Sequence, residues 1–115
     1  MSLPPVPLPA GEAWPLESLV VPTPGGIASR VLARAGGGSA TLFAFDAGQG
    51  LDEHSSPQDA LVLVLAGALV ITLAGTPAEA LPGTILRLPA GVPHAVAARE
   101  PSRMLLIMLR DHLAA

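Results

Sequence analysis

The chain lacks four residue types that carry much of enzyme chemistry, because its 115 residues include no Cys, Lys, Tyr or Asn. Without cysteine there are no disulfides and no thiolate nucleophile, and without lysine no Schiff base can form. The six basic residues are all Arg, and they are scattered among nine carboxylates, which gives a net charge of −3. This balance offers no basic stripe for nucleic acid and no attraction to an anionic membrane surface. The groups left for chemistry are the carboxylates and three histidines.

The N-terminus does not resemble a secretory signal. No basic residue precedes Arg30, and prolines at positions 4, 5, 7 and 9 would interrupt an apolar helix. Residues 60–78 are uncharged and approach the length of about 20 residues that spans a bilayer. However, Gly67 divides this stretch and many of its residues are β-branched, so it predicts a buried β-hairpin. We therefore expect a cytoplasmic protein with no membrane contact.

Short apolar stretches alternate with turn residues along most of the chain. These stretches are Leu16 to Val21, Ile27 to Ala33, Ala40 to Phe45, Ala60 to Leu65, Ala68 to Ala74, Thr84 to Leu88, Val92 to Ala98 and Met104 to Leu109. Glycines and prolines between them supply the backbone angles that chain reversals need. Short strands at this spacing predict an all-β sandwich or barrel.

The predicted organisation is a Pro-rich arm over residues 1–15 followed by one barrel domain over residues 16–115. The arm is either a disordered leader or an extended segment that packs on a partner subunit through Trp14. Residues 61–65 and 105–109 are apolar at every position, so both faces of those strands need cover. We therefore expect a homodimer.

Two segments sixteen residues apart, Gly50 to Gly67 and Gly83 to His94, each carry one histidine among turn residues. In the second segment Gly83 is followed by five residues, Pro89, one residue, Gly91, two residues and His94. This order resembles the second motif of the cupin superfamily, except that Ala98 stands where that motif has Asn. In the first cupin motif the spacing of Gly48, His54 and Gly67 also matches. Ser56 and Ala60, however, stand where that motif has a second His and a Glu.

The resemblance covers roughly residues 40 to 110. It implies a small single-domain, RmlC-like cupin, whose fold is an antiparallel double-stranded β-helix or jelly-roll barrel, with His54 and His94 at one mouth. In metal-binding cupins three histidines and a glutamate hold iron, manganese, nickel or zinc. By this resemblance only two of those ligands remain here, and two imidazoles form a weak metal site. No cofactor is therefore assigned, and a divalent transition metal is the alternative.

Other side chains are candidates to complete the site. Strand alternation places Ser56 and Gln58 on the face of His54 and Asp59 on the opposite face, unless a turn or bulge at Ser55-Ser56-Pro57 brings Asp59 inside. Met104 and Met108 share a face, which suits either an adaptable apolar pocket or ordinary core filling. The predicted pocket residues are His54, His94, Ser56, Gln58, Met104 and Met108. The predicted metal set is His54, His94 and Asp59.

Three functions are compatible with these residues. The first is a small-molecule-binding cupin without a tightly held metal, in which the two histidines orient a polar group inside an apolar cavity. The second is a metal-dependent enzyme of the dioxygenase or isomerase type with a non-standard ligand set. The third is a protein-interaction or assembly module. Acid–base catalysis by the imidazoles alone also stays open, so the sequence does not decide whether the protein is an enzyme.

Overall fold

The structure is a computed structural model that describes residues 7–110. Residues 1–6 of the predicted arm and residues 111–115, which include His112, lie outside the described range. The described residues form one short 3-10 helix, Leu16–Ser18, and nine strands. The strands are β1 (Ile27–Ala35), β2 (Gly38–Phe45), β3 (Gly50–His54), β4 (Asp59–Ala66), β5 (Leu69–Leu73), β6 (Thr76–Ala80), β7 (Ile85–Leu88), β8 (His94–Ala98) and β9 (Ser102–Leu109). No helix in residues 7–110 has the length and apolar character needed to cross a membrane.

The strands form two antiparallel sheets. The five-stranded sheet has the order β1-β2-β9-β4-β7, and the four-stranded sheet has the order β3-β8-β5-β6. Consecutive strands of the chain repeatedly change sheets, as β3 and β4 do, which is typical of a jelly roll. The predicted all-β jelly-roll barrel is confirmed.

The main core fills the barrel between the sheets. In β4 the alternate residues Ala60, Val62 and Val64 are buried in it, and Leu69 and Ile71 of β5 meet them from the other sheet. Alternation along the strand thus determines which side chains face the interior. Burying one Val, Leu or Ile side chain contributes about 1.5–3 kcal/mol to the stability of the fold.

A second core lies on the outer face of the five-stranded sheet and is closed by the N-terminal segment. Leu19 and Val20 are buried against Leu32 and Leu42, and Leu8 and Trp14 pack beside them. Hydrogen bonds hold the segment down: Arg30 Nη1 donates to the carbonyl oxygen of Leu19 (3.4 Å), and the amide of Leu8 donates to that of Leu32 (3.3 Å). The described part of the arm thus packs on its own barrel.

The strand predicted over Leu16 to Val21 is wrong. These residues form the 3-10 helix and a bend, with Pro15 and Pro22 on either side. Proline has no amide hydrogen to donate to a sheet, and this stretch pairs with no strand. Leu19 and Val20 are buried, whereas Leu16 and Val21 are exposed. The apolar pattern therefore identified two buried residues here and not the secondary structure.

Candidate functional site

Strands β3 and β8 bring the two histidines together. Leu51 pairs with Val96 and His54 pairs with His94, so β3 has one more residue than β8 between the two pairs. This bulge keeps Leu51 and His54 on the same face although they are three residues apart. The imidazole centroids lie 4.4 Å apart with the ring planes at 70°.

His94 faces the barrel interior, because it alternates with Val96 and Ala98, which belong to the main core. Its exposed fraction is 7%, whereas His54 is exposed at the end of an edge strand. The turn before β8 is fixed by Gly91, whose φ of 76° is one that L residues rarely adopt. The amide of Gly91 donates to the carbonyl oxygen of Ser56 (2.8 Å) and so joins the turn to the segment that follows His54.

The hydrogen bonds of the rings determine which nitrogens are free. The Nδ1 atom of His54 lies 2.8 Å from the carbonyl oxygen of Asp52, and that of His94 lies 3.2 Å from the carbonyl oxygen of Val92. Because a carbonyl only accepts, we assign the proton of each neutral ring to Nδ1, where it is donated. Each Nε2 then carries a lone pair that can accept a hydrogen bond or bind a metal ion.

Burial lowers the pKa of His94 from its ordinary value of 6.5, and the neighbouring His54 lowers it further. The hydrogen bond to the carbonyl oxygen of Val92 acts in the opposite direction, because it stabilises the charged ring. The net pKa shift is downward, so His94 is mainly neutral at pH 7. Its Nε2 is therefore an acceptor under ordinary conditions.

The described residues do not fit a tightly held metal ion. Within residues 7–110 no group of three or more His, Cys, Asp or Glu side chains is placed to hold one. A site of two imidazoles alone leaves the ion short of ligands and of negative charge. The structure thus assembles two of the four ligands that metal-binding cupins use.

Asp59 lies on the face of β4 opposite to the core residues. It alternates with the core residues of β4 and is on the side of Arg87, whose Nη1 is 3.9 Å from its Oδ1. The same Oδ1 accepts a hydrogen bond from the amide of Ala90 (2.8 Å), and only 2% of the residue is exposed. The carboxylate therefore anchors the turn between β7 and β8 and joins no three-residue cluster with the imidazoles.

The remaining predicted site residues lie in different surroundings. Ser56 is partly buried, and its Oγ accepts a hydrogen bond from the amide of Gln58 (3.1 Å). The side chain of Gln58 lines a separate polar pocket with Arg34 and Arg110. Met104 is 1% exposed in the main core, and Met108 packs against that core and also lines a shallow groove.

The sequence did not identify the apolar neighbours of the pair. Leu73 of β5 pairs with His94 from the side opposite β3, and Leu51 precedes His54 on the same face. Both side chains are partly buried against the main core. Finding them requires the strand order β3-β8-β5, which no local pattern in the sequence supplies.

Residues 41–109 match the family model of the Cupin domain. The chain belongs to the cupin superfamily. A conserved protein of unknown function from Streptococcus pyogenes is 31% identical to this cupin, with a TM-score of 0.85 and 98% of each chain covered. A cupin superfamily protein from Desulfitobacterium hafniense DCB-2 is 32% identical, with a TM-score of 0.84 over 91% of this chain and 96% of that one.

More distant structures share the fold alone. An RmlC-like cupin from Shewanella frigidimarina is 16% identical, with a TM-score of 0.73 over 80% of this chain and 83% of that one. A search of curated proteins finds no match. The comparisons therefore establish a small RmlC-like cupin and leave its activity to be argued from its own residues.

Proposed function

We propose that this cupin binds a small molecule at His54 and His94 without a tightly held metal ion. The observation that carries the proposal is the orientation of the two rings, whose centroids are 4.4 Å apart and whose Nδ1 atoms are both held by backbone carbonyls. This leaves one Nε2 acceptor on each of two neighbouring rings. The absence of a third ligand group within residues 7–110 supports binding without metal.

The chemistry of the pair indicates what the ligand carries. Two Nε2 acceptors are matched by hydrogen-bond donors, so the ligand presents hydroxyl groups and not a carboxylate. Leu51 and Leu73 flank the rings and favour an apolar body attached to that polar head. Protonation turns Nε2 into a donor, so binding of such a ligand weakens in acid.

The test compares catechol, which has two adjacent hydroxyl groups on an apolar ring, with veratrole, in which both hydroxyls are methylated. The imidazole ¹⁵N resonances of the labelled protein are followed in buffer with EDTA. Catechol should shift the Nε2 resonances in a saturable way, and veratrole should not. His54→Ala and His94→Ala should each abolish the saturable shift, while Arg99→Gln, at an exposed position that pairs with Glu79, serves as a control that retains it.

Three results would overturn the proposal. The first is saturable catechol binding that persists in both His54→Ala and His94→Ala, and the second is no binding at all. The third is retention of one equivalent of iron, manganese, nickel or zinc after desalting of protein prepared without chelator. That third result would favour the metal-dependent enzyme.

We also propose that the protein is a homodimer. Leu61 and Leu63 of β4 and Ile107 of β9 are neighbours on the outer face, and they belong to neither core. Ile85 of β7 pairs with Leu63 and is 61% exposed. A second copy presents the same apolar strip, so a twofold contact covers both strips at once.

A further inference from the structure

A concave site lies at the end of the barrel formed by the β1–β2 hairpin. It has a volume of about 210 Å³, several times the roughly 30 Å³ that one water molecule occupies in the liquid. Neither imidazole lines it. Its lining residues are Arg34, Ala35, Gly38, Ser39, Gln58 and Arg110.

The strand register explains why these polar side chains meet. Arg34 and Ser39 are paired residues of the β1–β2 hairpin. The amide of Arg110, just after β9, donates to the carbonyl oxygen of Gly37 in the hairpin turn (2.8 Å). Asp59 pairs with Leu109, so Gln58 and Arg110 extend from neighbouring strands at the same end. Three segments distant in sequence, the hairpin, Gln58 and Arg110, therefore contribute to one pocket.

The partners of the arginines set this pocket apart. Arg87 and Arg99 face Asp59 and Glu79, and Arg30 and Arg103 donate to backbone carbonyls of the N-terminal segment. Within residues 7–110, the two arginines that make no ion pair or side-chain hydrogen bond are Arg34 and Arg110. Both are exposed and both line the same pocket.

Two guanidinium groups in one small pocket repel each other, and an anion between them replaces that repulsion with attraction. Each guanidinium offers a planar fork of donors that fits the two oxygens of a carboxylate or phosphate. The hydroxyl of Ser39 and the side-chain amide of Gln58 add neutral donors at the same wall. All four side chains therefore suit an oxyanion.

We propose that this pocket binds an oxyanion, either a carboxylate or a phosphate group, between Arg34 and Arg110. The volume leaves room for a small organic body beyond the anionic group. The site is independent of the imidazole pair, since its lining residues come from the five-stranded sheet and the segment that leads into it.

The test titrates ¹⁵N-labelled protein with inorganic phosphate and, separately, with acetate, and sodium chloride keeps the ionic strength constant. The Nε–Hε resonances of Arg34 and Arg110 should shift in a saturable way with at least one anion. A tighter dissociation constant for phosphate assigns the site to phosphate groups, and a tighter one for acetate assigns it to carboxylates. Far-UV circular dichroism verifies that each variant is folded.

Variants distinguish specific anion binding at this pocket from a general effect of positive surface charge. Arg34→Gln and Arg110→Gln should each weaken binding about tenfold or more, and the double variant should abolish it. Arg34→Lys should also weaken binding, because lysine keeps the charge and loses the fork. Arg99→Gln is the matched control, since Arg99 is exposed and pairs with Glu79 outside the pocket. Shifts that are linear for both anions, or an undiminished affinity in the double variant, would overturn the proposal.

Discussion

Replacing Gly67 by alanine is expected to destabilise the barrel more than the same change at any open turn. Gly67 joins β4 to β5 with a φ of 82°. A Cβ built there overlaps the carbonyl oxygen of Pro101 and the Oγ and Cα atoms of Ser102. Ser102 cannot easily move away, because its Oγ accepts a hydrogen bond from the amide of Ala68 (3.0 Å) and donates one to the carbonyl oxygen of Glu100 (2.7 Å).

The size of the effect follows from two contributions. An alanine held in the left-handed region costs about 1–2 kcal/mol. Forcing an added methyl group against fixed neighbours costs roughly a further 1–3 kcal/mol. The free energy of unfolding should therefore fall by about 2–5 kcal/mol, a large share of the roughly 5–15 kcal/mol typical of a domain.

Gly75 provides the matched control. Its φ is also 82°, but a Cβ added there meets no atom within 4 Å. Gly75→Ala should therefore cost only the backbone contribution of about 1–2 kcal/mol. Urea unfolding followed by far-UV circular dichroism measures both variants, and the difference between them isolates the overlap with Pro101 and Ser102. Equal losses in the two variants would refute this reasoning.

Two further predictions concern the imidazole pair and the outer face. Because unfolded His94 gains a proton near pH 6.5 and folded His94 does so only at lower pH, the free energy of unfolding should fall as the pH drops below that value. Between about pH 5 and about pH 8, the urea midpoint of His94→Gln should depend less on pH than that of the wild type. The same pH dependence in both proteins would contradict the lowered pKa of folded His94. Light scattering should give twice the 11.6 kDa of one chain. Ile85→Arg should reduce the mass to one chain, whereas Leu81→Arg, at an exposed leucine outside the strip, should not; a monomeric wild type would exclude the dimer.

Most of the barrel was predictable because its central strands are buried on at least one face. Seven predicted strands, from Ile27 to Ala33 through Met104 to Leu109, overlap observed strands. The two strands without a prediction, β3 and β6, are the edges of the four-stranded sheet. β3 carries exposed Asp52 and Glu53, and β6 contains Pro77, which an edge strand tolerates because one side needs no hydrogen bonds.

The candidate site was predictable only in part. Motif spacing identified His54 and His94, which the strand register places opposite each other. Alternation along one strand failed to relate Gln58 and Asp59 to His54, because the chain leaves β3 after His54 and enters the other sheet at Asp59. Side chains on different sheets are related by the topology, which the local pattern does not contain.

The chain has a single tryptophan and no tyrosine. Its fluorescence emission therefore reports mainly on the surroundings of Trp14. Trp14 sits in the outer core under the N-terminal segment, and its Nε1 is buried with no hydrogen-bond partner among residues 7–110. The emission of Trp14 should therefore change when the N-terminal segment detaches from the barrel. Binding of a small molecule at the imidazole pair, on the four-stranded sheet, should leave it unchanged. Tryptophan emission and far-UV circular dichroism can be followed in the same thermal unfolding experiment. If emission changes at a lower temperature than circular dichroism, the N-terminal segment detaches before the barrel unfolds.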